Sequence, residues 1–252
     1  NRRAPTFLGS DDEYIASPKL DDVECAVGCM EGFINAAASG SIPVCCVFDN
    51  EETGSSTKQG AASNILRDLL RRIALNLGKS EEEYLAMVAQ SMDIIVPAEQ
   101  VSAANRVDNA VLSTVQSFMV SADNAHAQHP NHPEYSDGDN CPYMNKGIVI
   151  KFNANQKYTT DGVSAALFRR VCAEAGAPVQ VFANRSDMAG GGTLGSIANT
   201  KVAVSTVDIG LPQLAMHSCY ETAGAEDIDS LVKAMTAFYS KTLTVENGEY
   251  GI

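Results

Sequence analysis

Tryptophan is absent, histidine occurs only four times, and aromatic residues make up 6% of the chain. The missing tryptophan excludes nothing by itself. The shortage of basic residues excludes more: 18 Lys and Arg stand against 31 Asp and Glu, a net charge of -13 that repels phosphate backbones and anionic lipid surfaces. Nucleic acid and membranes are therefore not expected as partners. No apolar run approaches the roughly 20 residues of a membrane helix, and Asn1-Arg2-Arg3-Ala4-Pro5 has no signal-peptide stretch, so a soluble, cytoplasmic protein is expected. Repeats and low-complexity tracts are lacking too. Seven cysteines (Cys25, Cys29, Cys45, Cys46, Cys141, Cys172 and Cys219) show no zinc-ribbon or thioredoxin spacing, which predicts reduced, mostly buried thiols.

What is present suits one large globular domain: 252 residues, 45% hydrophobic and 19% charged. Val23, Ala26, Val27, Met30 and Phe33 recur at helical spacing and predict a core-facing helix over residues 23–38. The apolar run at 43–48 predicts a strand buried on both faces, with Asp49, Glu51 and Glu52 just past its carboxyl end. Helices are predicted at 61–77 and at 80–90, the second opened by a Ser80/Glu83 capping box. Strands at 118–122, 147–152, 179–183 and 202–207 and helices at 162–174 and 225–242 follow. The alternation predicts an α/β fold, a three-layer α/β/α sandwich over residues 17–252, with residues 1–16 as a tail or junction.

Four features bear chemistry, each with a plainer alternative. Adjacent side chains diverge in a strand-to-helix loop, so of Glu51 and Glu52 one can hold a metal while the other takes a proton from water; a solvated acidic loop is the alternative. His126, His129 and His132 crowd seven residues, but Pro130 and Pro133 forbid a continuous helix and the spacing matches no common zinc pattern. Gly190-Gly191-Gly192-Thr193-Leu194-Gly195 suggests a phosphate loop, yet it lacks the lysine of a P-loop. His217 follows a short strand and is either a ligand or a core residue.

In order along the chain, Ser17-Pro18-Lys19-Leu20-Asp21-Asp22, Asp49-Asn50-Glu51-Glu52-Thr53-Gly54-Ser55 and Ser121-Ala122-Asp123-Asn124-Ala125-His126 resemble signature blocks of the aspartyl aminopeptidase family of binuclear zinc peptidases. The resemblance continues through Lys151-Phe152-Asn153-Ala154-Asn155-Gln156-Lys157-Tyr158, Gly191-Gly192-Thr193-Leu194-Gly195 and Met216-His217-Ser218, and spans residues 17–239.

The resemblance implies a zinc-exopeptidase fold and two divalent metal ions, zinc first with manganese or cobalt as alternatives. It implies Asp21 as the carboxylate bridging both metals, Glu52 and His217 as further ligands of one, and Asp123 as a ligand of the other. Glu51 is similar to the general base that activates a metal-bridging water. Lys151, Tyr158, His126 and Gly192 are implied to face substrate, Lys151 pairing with an acidic N-terminal side chain. Two departures stand out. The family's N-terminal His-x-Asp block and inserted dimerisation domain are not found, so the chain is expected to be the C-terminal part of a catalytic domain, a fragment that need not be active alone. Tyr220 stands where many members have arginine.

The expected function is a metallo-aminopeptidase acting on peptides, a homo-oligomer when full length. The competing expectations are a one-metal or metal-free relative serving as a binding or assembly subunit, and, opposed by the charge, a nucleotide-binding domain.

Overall fold

Residues 3–88, 117–246 and 249–252 are described in a computed structural model. In chain order the strands are β1 (Thr6–Leu8), β2 (Tyr14–Ser17), β3 (Phe118–Ala122), β4 (Ala125–His126), β5 (Ile148–Phe152), β6 (Val179–Ala183), β7 (Ser205–Gly210), β8 (Pro212–Leu214), β9 (Glu221–Gly224), β10 (Thr244–Glu246) and β11 (Glu249–Gly251). The helices are α1 (Leu20–Asn35), α2 (Ile65–Asn76), α3 (Glu81–Val88), α4 (Gly162–Ala175), α5 (Leu194–Asn199) and α6 (Asp227–Tyr239). The α/β class is as expected. The chain divides into two units: one runs to Val47 and includes Val120–Ser196 and Thr206–Lys241, and the other draws on 48–119, 197–205 and 242–252.

In the first unit, a five-stranded sheet has the order β1-β2-β9-β8-β4 and a four-stranded sheet the order β3-β7-β5-β6. Residues 1–16, set apart on sequence, contribute β1 and most of β2, which pairs antiparallel with β9. β3 leads into β4 across Asp123-Asn124, and β7 leads into β8 across Leu211. Backbone bonds bridge these breaks: Asp123 N–H donates to Ile209 O at 3.1 Å, Ala125 N–H to Leu211 O at 2.8 Å and Ala127 N–H to Gln213 O at 2.9 Å. Asp123 is thus anchored where one sheet hands over to the other.

β5 forms the centre of the core, with Ile148, Val149 and Ile150 wholly buried. α6 packs on β5 and β9 and receives α1 and α4 against it. α4 starts as a capping box, Asp161 Oδ1 accepting from Ser164 N–H at 2.7 Å and Ser164 Oγ from Asp161 N–H at 2.9 Å, and stops at Gly176 in the left-handed region.

Three expectations are corrected here. α1 forms, but its apolar stripe does not face the core: Val23, Val27 and Met30 are exposed, while Glu24, Cys25, Gly28 and Gly32 are buried. Close approach decides this. A Cβ on Gly28 would lie 2.7 Å from Leu231 Cδ2 and one on Gly32 2.5 Å from Met235 Cβ, so the small-residue face lets α1 settle directly onto α6. The run at 43–48 forms no strand and is half-buried to exposed, because it has no ladder partner among the described residues. The strand expected at 202–207 begins only at Ser205, since Val202 N–H still bonds to Ala198 O in the turn after α5.

In the second unit α2 packs against α3. The predicted capping box forms: Glu83 N–H donates to Ser80 Oγ at 3.1 Å and Ser80 N–H to Glu83 Oε2 at 2.8 Å, which stabilises the helix by about 1 kcal/mol. Residues 89–90 of that predicted helix lie outside the described residues. Among the described residues, no helix is long and apolar enough to cross a membrane. None of the seven cysteines is in a disulfide, but only Cys25 and Cys172 are buried, fewer than composition suggested.

Candidate metal centre

The first two acidic residues of α1 are not helical: Asp21 and Asp22 have φ/ψ of -82/113 and -115/35 and are joined by a cis peptide bond. Asp21, Asp22 and Asp123 each offer a carboxylate oxygen, and these three lie within 4.8 Å of one another. His217, in the left-handed region at φ 65 just after β8, brings Nε2 to 3.1 Å from Asp21 Oδ2. The Asp21 side chain is 3% exposed and that of His217 64%, so the carboxylate forms the floor of the group and the imidazole its rim.

These residues fit a divalent cation. Burial, then the charges of Asp123 and Asp21, push the Asp22 carboxyl well above the usual carboxylate range against a weaker opposing bond from Cys25. Asp22 Oδ1 is buried with no hydrogen-bond partner among the described residues. A positive ion among these oxygens would offset both costs, and carboxylate and imidazole donors suit zinc or manganese.

The surrounding shell is ordered by buried polar groups. Glu221, 2% exposed at the start of β9, accepts from Asp21 N–H through Oε2 at 3.0 Å and from His217 N–H through Oε1 at 2.8 Å. Asn124 donates to Leu20 O at 3.1 Å and Gln213 Oε1 at 3.1 Å, and accepts from the Cys25 thiol at 2.9 Å. Asp22 and Glu221 carried no role in the sequence expectation. The Asp21-Asp22 doublet and the four-residue step from His217 to Glu221 were the available signals.

The residues expected to face substrate fall in different places. Lys151 is neither a surface lysine nor open to solvent: it is 2% exposed, and Nζ donates to Asp123 O at 2.9 Å and Asn124 O at 3.2 Å, 3.7 Å from Asp123 Oδ2. Burial alone would pull its ammonium down; Asp123 and Asp208 outweigh that and leave its pKa raised. Tyr158 is a core residue, clustered with Ala125, Val149 and Phe182 and lying 5.3 Å from Lys151 Nζ. The strand and loop carrying them turn both side chains inward. His126 stands exposed on β4, and partial desolvation, with His217 nearby, holds its imidazole below the usual value. Gly192 is exposed.

His126, His129 and His132 join no group of converging ligands among the described residues, and His132 Nδ1 meets Glu134 Oε1 at 3.0 Å. The glycine-rich loop does open a helix, α5, but Thr193 Oγ donates at 2.8 Å to the buried carboxylate of Asp208, which also accepts from Thr159 N–H at 2.6 Å and Oγ at 2.7 Å. A carboxylate placed there opposes a phosphate, which disfavours the nucleotide reading.

Glu51 and Glu52 belong to the second unit. They lie in a turn closed by Gly54 N–H to Glu51 O at 2.8 Å and Ser55 N–H to Asn50 O at 2.9 Å. Asp49 braces its start, accepting from Asn50 N–H at 2.8 Å and Gln59 Nε2 at 3.3 Å.

The model of the family described as Aminopeptidase I zinc metalloprotease (M18) matches residues 2–106 and 98–239. A probable M18 family aminopeptidase 2 of Clostridium novyi is 38% identical over 235 residues, 93% of this chain and 48% of that protein. Among solved structures, the complex of Ape4 and Nbr1 aligns with a TM-score of 0.78 at 32% identity, covering 94% of this chain and 41% of that one. The S. cerevisiae mApe1 dodecamer shares the fold, with a TM-score of 0.71 at 24% identity over 94% of this chain and 48% of that one. The chain spans about half the length of the curated relatives it matches, and over that span it belongs to the M18 family of aminopeptidase I zinc metalloproteases.

Proposed function

We propose that this chain is part of a metal-dependent aminopeptidase that removes the N-terminal residue of peptides. The observation that carries this reading is the convergence of the Asp21, Asp22 and Asp123 carboxylates, with His217 3.1 Å from Asp21. In this reading Asp21, His217 and Glu52, together with Asp123, would hold the divalent cations. When bound, the divalent ions would polarise the scissile carbonyl and acidify a water. Glu51 takes the proton from the attacking water and passes it to the departing amine, so the C–N bond breaks to a neutral amine rather than an amide anion. His126 and Gly192, both exposed, border the substrate. A cavity of about 500 Å³ between the 153–157 turn and the 184–190 loop, lined by Asn153, Asn155, Lys157 and Met188, offers room for a peptide side chain.

An acidic N-terminal preference would need a cation at that residue's side chain. Lys151 can supply one only by giving up its bonds to Asp123 and Asn124, so selectivity competes with the order of the metal centre. A cytoplasmic homo-oligomer is the assembly we propose for the complete protein, the S. cerevisiae relative being a dodecamer.

The test is Glu51→Gln in the complete protein, assayed for release of N-terminal residues with zinc, manganese or cobalt. Turnover should fall about 10²–10⁴-fold while metal content is retained. Undiminished turnover would remove Glu51 from the mechanism.

A further inference from the structure

We propose that Glu221 is a positioning residue, one carboxylate that fixes the spacing between two metal ligands by holding the backbone of both. Asp21 and His217 are 196 positions apart, yet their N–H groups donate to the two oxygens of this one side chain, at 3.0 and 2.8 Å. Neither ligand lies in regular structure: Asp21 precedes the regular part of α1, and His217 is a non-glycine residue at φ 65. Local secondary structure therefore does not set their separation. Glu221 itself is held in a sheet, opposite Ser17 in the pairing of β9 with β2. It is 2% exposed, which shields both bonds from water. The result is a rigid link from the sheet to both ligands, and it accounts for the 3.1 Å approach of His217 Nε2 to Asp21 Oδ2.

The inference rests on the metallopeptidase reading for what the ligands hold, but the link itself is testable without metal. Glu221→Gln keeps the volume and replaces one acceptor by an amide that faces an N–H donor. In metal-free protein, hydrogen exchange at the Asp21 and His217 amides should quicken at least about tenfold, with Ala223 unchanged in the same strand. Zinc affinity, measured by competition with a chelator, should weaken about 10–100-fold, the range seen when a partner of a metal ligand is lost. Val171→Ala, a core change in α4, should lower the melting temperature without that loss of affinity. Glu221→Asp, a carboxylate one methylene short, should fall between wild type and Glu221→Gln, and it serves if the glutamine variant does not fold.

Exchange rates unchanged in both variants would overturn the link. An affinity loss no larger than that of a Val171→Ala protein of equal melting temperature would overturn its positioning role. Wild-type protein that binds no zinc would instead overturn the metallopeptidase reading, while the exchange data would still decide the link.

Discussion

Gly210 lies so close to the backbone of Asp123 that a Cβ on residue 210 would stand 2.0 Å from the Asp123 carbonyl oxygen. That oxygen is also the nearer acceptor for the buried Lys151 ammonium. Gly210→Ala must therefore push the Asp123 backbone aside and disturb a carboxylate of the proposed metal centre. A stability loss of about 1–3 kcal/mol in urea unfolding is expected from overpacking, with weaker metal binding in titration. An alanine variant matching the parent in both would contradict the close approach.

Lys151→Met separates two roles for the ammonium. If its work is to satisfy Asp123 and Asn124, removing it strands a buried carboxylate and two carbonyls, and stability should drop by about 3–5 kcal/mol. If its work is to pair with an acidic substrate, stability should barely move while the kcat/KM ratio for N-terminal Glu over Leu collapses. The inward bonds predict the first outcome, read by melting temperature together with that ratio.

Asp227 predicts a pH dependence of stability. It is 1% exposed, and burial pushes its carboxyl from 3.8 up to about 6, although Asn145 and Gly147 N–H groups donate to it at 2.6 and 2.7 Å and pull the other way. The folded state thus holds a proton that the unfolded chain releases near 3.8. This contribution is complete below that pH and is lost as pH rises through about 6, with a slope of at most about 1.4 kcal/mol per pH unit. Urea unfolding at pH 4.5, 5.5 and 6.5 should show the advantage of the parent over Asp227→Asn shrinking as pH rises. A constant gap would mean that the carboxyl titrates normally.

Signals confined to a few neighbouring residues were legible. The Ser80/Glu83 pair forms its box, and α4 covers the predicted 162–174. The Asp21, Asp123 and His217 blocks could be named from residue types in order, and these three residues lie in one unit. What escaped depended on partners distant in sequence. The stripe of α1 pointed Val23 and Val27 inward, but the contact with α6 was decided by the absence of side chains at Gly28 and Gly32. The 43–48 run had the composition of a buried strand and no ladder to join among the described residues. The inward bonds of Lys151 and the two-sided hold of Glu221 escaped because their partners, two backbone carbonyls and two backbone N–H groups, leave no trace in residue types.

Asp208 has a bearing on how this protein can change. Its single buried carboxylate moors Thr159 and Thr193, which belong to loops separated by all of α4 and β6. Those loops are consequently not independent modules. A substitution that shifts one is transmitted to the other through a shared anchor, whereas α4 and β6 can drift in sequence provided their ends return to the same point. Variation in these two loops among related chains should then come as paired changes around a constant aspartate.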